Sequence, residues 1–281
     1  MEPYQHTSGW WRRTDRGRLR LTGRDAVPFL QALVSNDVDA LPVGGTCDAV
    51  YLTPQGRMIT DMRILRRGPA SNVQRPTSSE ELVVSVPAEL AGSLAARLDS
   101  LVFSEDVQVA DISAATSHIS VLGESMRDAR DLIDEPPPPG VPELSASEIE
   151  QLRIEAGLAK WGVDMNEETI PLEAGLLERA ISQTKGCYVG QEVIIRVLHR
   201  GGGRVARRLM KIACDIGSTV VPSAGTEISK DDIVSGHVTS AVFSAREHRV
   251  LALGYVKRDH AEPGTAVRVG DQPATLGEPA S

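Results

Sequence analysis

The chain has 281 residues, 41% of them hydrophobic and 24% charged, the balance of a soluble globular protein long enough to bury a core and hold more than one structural unit. A net charge of −8 and an aromatic content of 4% argue against a nucleic-acid surface, which needs cations to displace counterions and rings to stack on bases. No apolar run approaches the roughly 20 residues of a membrane span, and the first residues lack the apolar middle of a secretion signal.

Residues Arg18 to Leu21 alternate polar and apolar and predict a short strand ending at Thr22-Gly23. Ala26, Phe29, Leu30, Leu33 and Val34 then recur at helical spacing, with Asp25 expected as the cap, Pro28 in the first turn and Asn36-Asp37 at the end. Pro54-Gln55-Gly56 predicts a turn between strands at Cys47–Thr53 and Arg57–Leu65. In the second arm Asp61 shares a face with Ile59 and Leu65. An unpaired carboxylate there is costly, so Asp61 calls for an Arg or a polar ligand. Arg67 to Glu81 reads as a polar loop, Leu82–Val86 as a strand, and Ala88–Leu101 as a helix with Leu90, Leu94, Leu98 and Leu101 on one stripe. Further strands at Val107–Ile112 and Ile119–Leu122 complete an α+β sheet with helices on one side.

Consecutive prolines make 134–147 a semi-rigid connector. Ser147-Glu148-Ile149-Glu150 predicts a capping box opening a helix that runs to about Gly157. The irregular stretch that follows is rich in Gly and acids, yet Trp161, Ile170, Leu172, Leu176 and Leu177 argue for a packed functional segment. Gly201-Gly202-Gly203 is the expected boundary between regions 1–200 and 204–281. Short strands at Val205–Ala213, Thr226–Ile228, Ile233–Phe243, Val250–Val256 and Ala266–Val269 predict a small antiparallel barrel.

Classical catalytic signatures are missing. The chain has no Gly-x-Ser-x-Gly elbow and no P-loop, and its six His residues lack ligand spacing, so no metal site is expected. Cys47, Cys187 and Cys214 are too few and too far apart for a disulfide framework or a zinc ribbon, so a cytoplasmic protein with reduced thiols is expected. Lys185-Gly186-Cys187-Tyr188-Val189-Gly190-Gln191-Glu192 concentrates a thiol, a cation, a phenol, an amide and a carboxylate. A neighbouring Lys favours the thiolate, while a tight turn around a small buried Cys is the plainer reading of the residue types. Glu173, flanked by Leu172, Ala174 and Gly175, could accept two N–H bonds from a flat heterocycle. A salt bridge to Arg179 or Lys185 is its plainer reading.

KGCYVGQE at Lys185–Glu192 resembles the signature of the YgfZ-type folate-binding proteins, in the superfamily of the glycine-cleavage T-protein (aminomethyltransferase). LTGRDAVPFLQALVSNDV, YLTPQGRMITDMRI, LRIEAGLAKWGVDMNEETIPLEAGL, SGHVTSA and LALGYV are similar to other stretches of that superfamily, over nearly the whole chain. The resemblance implies a three-part ring-like α+β T-protein fold with a central folate pocket and a C-terminal antiparallel β-barrel. It implies tetrahydrofolate or a one-carbon folate derivative as cofactor. The implied role is accessory, in assembly or repair of iron–sulfur cluster enzymes, including tRNA-modifying ones. The partners are then folate and iron–sulfur enzymes or assembly factors, with no direct nucleic acid and no membrane, and the chain is expected to be a monomer. Carried over by position, Asp61 faces the reactive part of folate and Glu173 accepts from the pterin. Tyr188 and Arg196 line the pocket or its rim. Cys187 is the functional thiol, supported by Lys185, Gly186, Gly190, Gln191 and Glu192. T-proteins commonly carry two adjacent acids in the hairpin; here Met62 follows Asp61, which counts against aminomethyl transfer. The alternatives are a folate-dependent aminomethyltransferase or methyltransferase and a non-catalytic scaffold with a decayed pocket, and whether a reaction is catalysed stays open. The folate reading expects Asp61, Glu173 and Cys187 to open into one cavity.

Overall fold

The computed structural model describes residues 8–68, 81–200 and 202–281. The chain opens with β1 (Trp10–Arg12) and β2 (Arg16–Thr22), followed by α1 (Ala26–Leu33) and the hairpin β3 (Thr46–Leu52) and β4 (Met58–Arg67). Then come β5 (Glu81–Pro87), α2 (Ala91–Asp99), β6 (Gln108–Asp111), β7 (His118–Val121) and β8 (Arg130–Ile133). These strands form two antiparallel sheets, β3-β4-β5-β2-β6 and β1-β7-β8. Most of the expected polar loop, 69–80, lies outside the described residues.

Alternation decides which face of the larger sheet is buried. Met62 and Ile64 of β4 pack with Leu19, Leu21, Leu82 and Val84 under the apolar stripes of α1 and α2. The other face of β4 carries Ile59, Asp61, Arg63 and Leu65, all half-buried. Asp25 stands at the start of α1, but its carboxylate accepts from the Asp106 backbone N–H at 2.8 Å and makes no capping bond, a correction to the expected N-cap.

A capping box does open α3 (Ala146–Ala156), two residues earlier than predicted: Ser145 Oγ accepts from the Glu148 N–H, and Glu148 reaches back to the Ser145 N–H at 2.8 Å. Ser145 prevails because Leu144 then packs in one apolar cluster with Ile149, the staple that fixes a helix entry. Gly157 ends α3 with φ +72°, as a left-handed cap should. The irregular stretch beyond contains α4 (Leu177–Ala180) and leads to α5 (Gln191–Ile195). Its Met165, Ala174, Leu176 and Tyr188 bury against Val50, Leu52 and Met58 of the hairpin, so apolar side chains fasten it where backbone periodicity is lacking.

The rest is a closed antiparallel barrel of β9 (Arg207–Cys214), β10 (Glu227–Lys230), β11 (Ile233–Ser244), β12 (Arg249–Lys257), β13 (Ala266–Val269) and β14 (Gln272–Pro279), in the order β10-β11-β12-β9-β14-β13. β14 was not expected from the sequence, because Pro273, Gly277 and Pro279 interrupt its pattern. It is stabilised by pairing on both sides, with β13 and β9.

Candidate functional site

The two sheets, α3 and the segment after it enclose a cavity of about 470 Å³, within the range of about 300–1,000 Å³ usual for small-molecule sites. The turn after β1 supplies Arg13, the first residue of β2 is Arg16, β4 supplies Asp61 and Arg63, and Trp161 and Ile149 form an apolar wall. Basic side chains outnumber acidic ones around it.

Asp61 is held by Arg16, whose Nη1 donates to Oδ2 at 2.9 Å, while Nη2 donates to the Ser85 carbonyl at 2.8 Å. Sequence alternation asked for an Arg or a polar ligand, and β2 delivers an Arg from across the sheet. The second oxygen, Asp61 Oδ1, is buried and has no hydrogen-bond donor. Two residues of the lining also have a buried nitrogen without an acceptor, Arg63 Nε and Arg179 Nε, each 3.5 Å from a carboxylate, of Asp131 and Asp48 respectively. Buried polar atoms left open cost free energy unless something meets them.

Asp131, on β8, balances the arginines. Burial alone would raise its pKa, but His118, Arg13 and Arg63 outweigh that and hold it well below the usual carboxylate range. His118 Nε2 lies 3.4 Å from Asp131 Oδ1, and burial pushes the imidazole below its ordinary value against that attraction. The pair therefore stands as a carboxylate beside a neutral ring at neutral pH.

The other expected site residues do not line this cavity. Glu173 is buried against the barrel, where its carboxylate accepts from Arg207 Nε at 3.1 Å and its backbone carbonyl accepts from the Leu209 N–H at 2.8 Å. Arg207 in turn stacks over Tyr255, 4.4 Å from the ring centre. The plainer reading of Glu173, a salt bridge, describes its contacts, though the partner is neither Arg179 nor Lys185. Tyr188 is buried with Val50, Leu52 and Ile194, and burial pushes its phenol up to about 12. Arg196 is exposed and pairs with exposed Glu192 at 2.6 Å.

Lys185 does not offer its charge to Cys187. Its ammonium donates to the carbonyls of Gln31, Val34 and Asn36 at 2.5, 2.6 and 3.1 Å, closing the end of α1, and burial pulls it down to about 8 against the pull of Asp37 and Asp39. Its Nζ also lies 5.3 Å from the Tyr188 ring centre. Lys185 and Tyr188 are both buried, whereas Gly186 and Cys187 between them are exposed. Gly190 is required by geometry: its φ is +81°, and a Cβ there would sit 2.5 Å from the Thr53 carbonyl oxygen. Gln191 opens α5 just after it. Asp61, Glu173 and Cys187 are thus three separate places, and the expected single cavity belongs to Asp61 alone among them. Among the described residues no group of three or more His, Cys, Asp or Glu is arranged to hold a metal ion.

Residues 207–275 match the family described as the glycine cleavage T-protein C-terminal barrel domain. The chain is 24% identical over 304 residues to an aminomethyltransferase of Synechocystis sp., covering 93% of this chain and 80% of that one. It is 28% identical over 253 residues to an iron-sulfur cluster assembly factor, the mitochondrial IBA57 homolog of Mycosarcoma maydis, covering 78% of this chain and 61% of that longer protein. The crystal structure of glycine cleavage system aminomethyltransferase T from Bartonella henselae shares its fold with a TM-score of 0.76 over 96% of this chain and 85% of that one, at 16% identity. The chain has the T-protein fold.

Within this T-protein fold, sequence reasoning passed over Arg16, Arg63, Asp131 and Arg153 as site residues and named Arg179 only as a partner for Glu173, yet all five are on the cavity. The signal for Arg16 was indirect: Asp61 called for an Arg or a polar ligand, but nothing local said that an Arg lies 45 positions upstream. Trp161 was noted for its apolar character and not for the wall it makes.

Proposed function

We propose that the protein binds tetrahydrofolate or a one-carbon derivative in the Asp61 cavity, and that it serves assembly or repair of iron–sulfur enzymes, tRNA-modifying ones included, through Cys187. The observation that carries the binding half is Asp61, a carboxylate that lines a cavity of pterin-compatible size and keeps one oxygen without a donor. Asp61 would accept an N–H of the heterocycle, Trp161 would cover its flat face, and the surplus arginines would meet an anionic tail. Bound folate would supply the carrier of a one-carbon unit. The relative named as an iron–sulfur cluster assembly factor supports the second half. So does the display of Cys187 between two buried anchors and away from the cavity lining, which suits a macromolecular partner. Among the described residues no helix is long and apolar enough to cross a membrane.

The aminomethyltransferase relatives favour a second reading, folate-dependent group transfer. Met62, buried in the core on the opposite face, leaves Asp61 as the acid that β4 offers the cavity. The open cavity supports binding over a decayed scaffold. Calorimetry with tetrahydrofolate tests the binding half: saturable heat is expected, and no heat with no competition at millimolar ligand discards it. Cys187→Ser is expected to impair maturation of a dependent iron–sulfur enzyme while folate binding stays as in the wild type; normal maturation would make Cys187 irrelevant to it.

A further inference from the structure

One wall of the cavity is fastened from the barrel. Arg153 of α3 and Leu158, Lys160 and Trp161 of the segment behind it all line the cavity. Arg153 and Asp164 are buried, and the side chain of Asp164 is fully enclosed. Arg153 Nη1 donates to Asp164 Oδ2 at 2.6 Å and to the Leu158 carbonyl at 2.6 Å, while Nε and Nη2 hold Glu150 at 3.1 and 2.6 Å. Asp164 Oδ2 also accepts from the Lys160 backbone N–H at 3.0 Å.

The other half of the network comes from β11. Its register against β12 shifts between Val238 and Ser240, which leaves Thr239 as the extra residue of a bulge. Bulges re-aim side chains that regular alternation would send to opposite faces. Here the hydroxyls of both Thr239 and Ser240 donate to Asp164 Oδ1, and Ser240 Oγ accepts from Arg153 Nη2 at 2.7 Å. Asp164 therefore accepts four hydrogen bonds. A buried polar network in which each member is matched is stiff, because any rearrangement strands a desolvated charge.

We infer that the bulge at Thr239 is the positioning device for the cavity wall: two barrel hydroxyls fix Asp164, and Asp164 fixes Arg153 and the turn that carries Trp161. Thr239, Ser240 and Asp164 do not line the cavity themselves and act through the residues that do. The inference deepens the folate reading above, yet its first readout needs no ligand.

Asp164→Asn is the obvious variant, but it strips buried Arg153 of a partner and risks unfolding the chain. The double variant Thr239→Ala, Ser240→Ala leaves the buried ion pair in place and is the one to measure. Hydrogen exchange of residues 158–165 is expected to quicken, with the Lys160, Gly162 and Asp164 amides as reporters, while the remaining barrel strands keep their protection. Affinity for tetrahydrofolate is expected to fall by about ten-fold, within the range of coupling through packed networks. Thr239→Ser with Ser240→Thr keeps both hydroxyls and is expected to restore wild-type exchange and affinity. Unchanged exchange in 158–165, exchange that rises equally throughout the barrel, or faster exchange with unaltered affinity would overturn the inference. If the wild type takes up no tetrahydrofolate, the folate reading is lost, and the exchange result alone then decides whether the bulge positions the wall.

Discussion

The Asp61 wall and the Glu173 clamp each join a carboxylate to an arginine, at 2.9 and 3.1 Å. In the first, Arg16 is spread over Asp61 and the Ser85 carbonyl, one carboxylate oxygen stays buried without a donor, and a cavity opens beside it. In the second, the side chain and carbonyl of Glu173 both run to the barrel, to Arg207 and the Leu209 N–H, and the Ala280 N–H donates to the Leu209 carbonyl. The same pair of residue types is a binding feature in one place and a fastening in the other. What separates them is the polar capacity left over after folding.

Variants can break this contrast in descending order of effect. Asp131→Asn removes the carboxylate that balances Arg13 and Arg63 and is expected to cost about 3–5 kcal/mol, the penalty for stranding buried charge, read from the urea midpoint. Because the folded-state pKa of Asp131 is lowered, its contribution is full above the unfolded value of about 4 and is lost as pH falls through the folded one, so the variant's acid limb should be flatter than the wild type's. Gly175→Ala attacks the clamp instead. Its φ is +76° and a Cβ would lie 1.8 Å from the Ala280 carbonyl oxygen, so C-terminal pairing should loosen. The left-handed backbone alone costs about 1–3 kcal/mol, which thermal unfolding would register. Glu173→Gln is milder, about 1 kcal/mol, since Arg207 is half-exposed and water screens the pair. A loss from Glu173→Gln larger than that from Asp131→Asn would reverse the assignment of roles.

Local chemistry was legible in the sequence. Pro54-Gln55-Gly56 turns the hairpin, alternation puts Asp61 on the half-buried face, and regular turn spacing announces the barrel. The short strands β1 and β8 were not read, because Trp-Trp-Arg and Arg-Asp-Leu-Ile do not alternate, and β14 was masked by its prolines and Gly277. Partner choice was the harder matter. Glu173 advertises charge among apolar neighbours and Lys185 beside a thiol, but whether such charge meets a ligand, a helix end or a barrel strand is settled by residues far along the chain. Lys185 closing α1 shows this: its three acceptors lie about 150 positions away, at Gln31, Val34 and Asn36.

Calorimetric titration of tetrahydrofolate into the wild type, Asp61→Asn and Glu173→Gln tests the central claim most directly. Asp61→Asn replaces an acceptor with a donor-bearing amide beside Arg16 and should weaken binding at least about ten-fold, the worth of one charge-assisted hydrogen bond, while Glu173→Gln binds like the wild type. Equal losses in the two variants, or a loss confined to Glu173→Gln, would contradict the account.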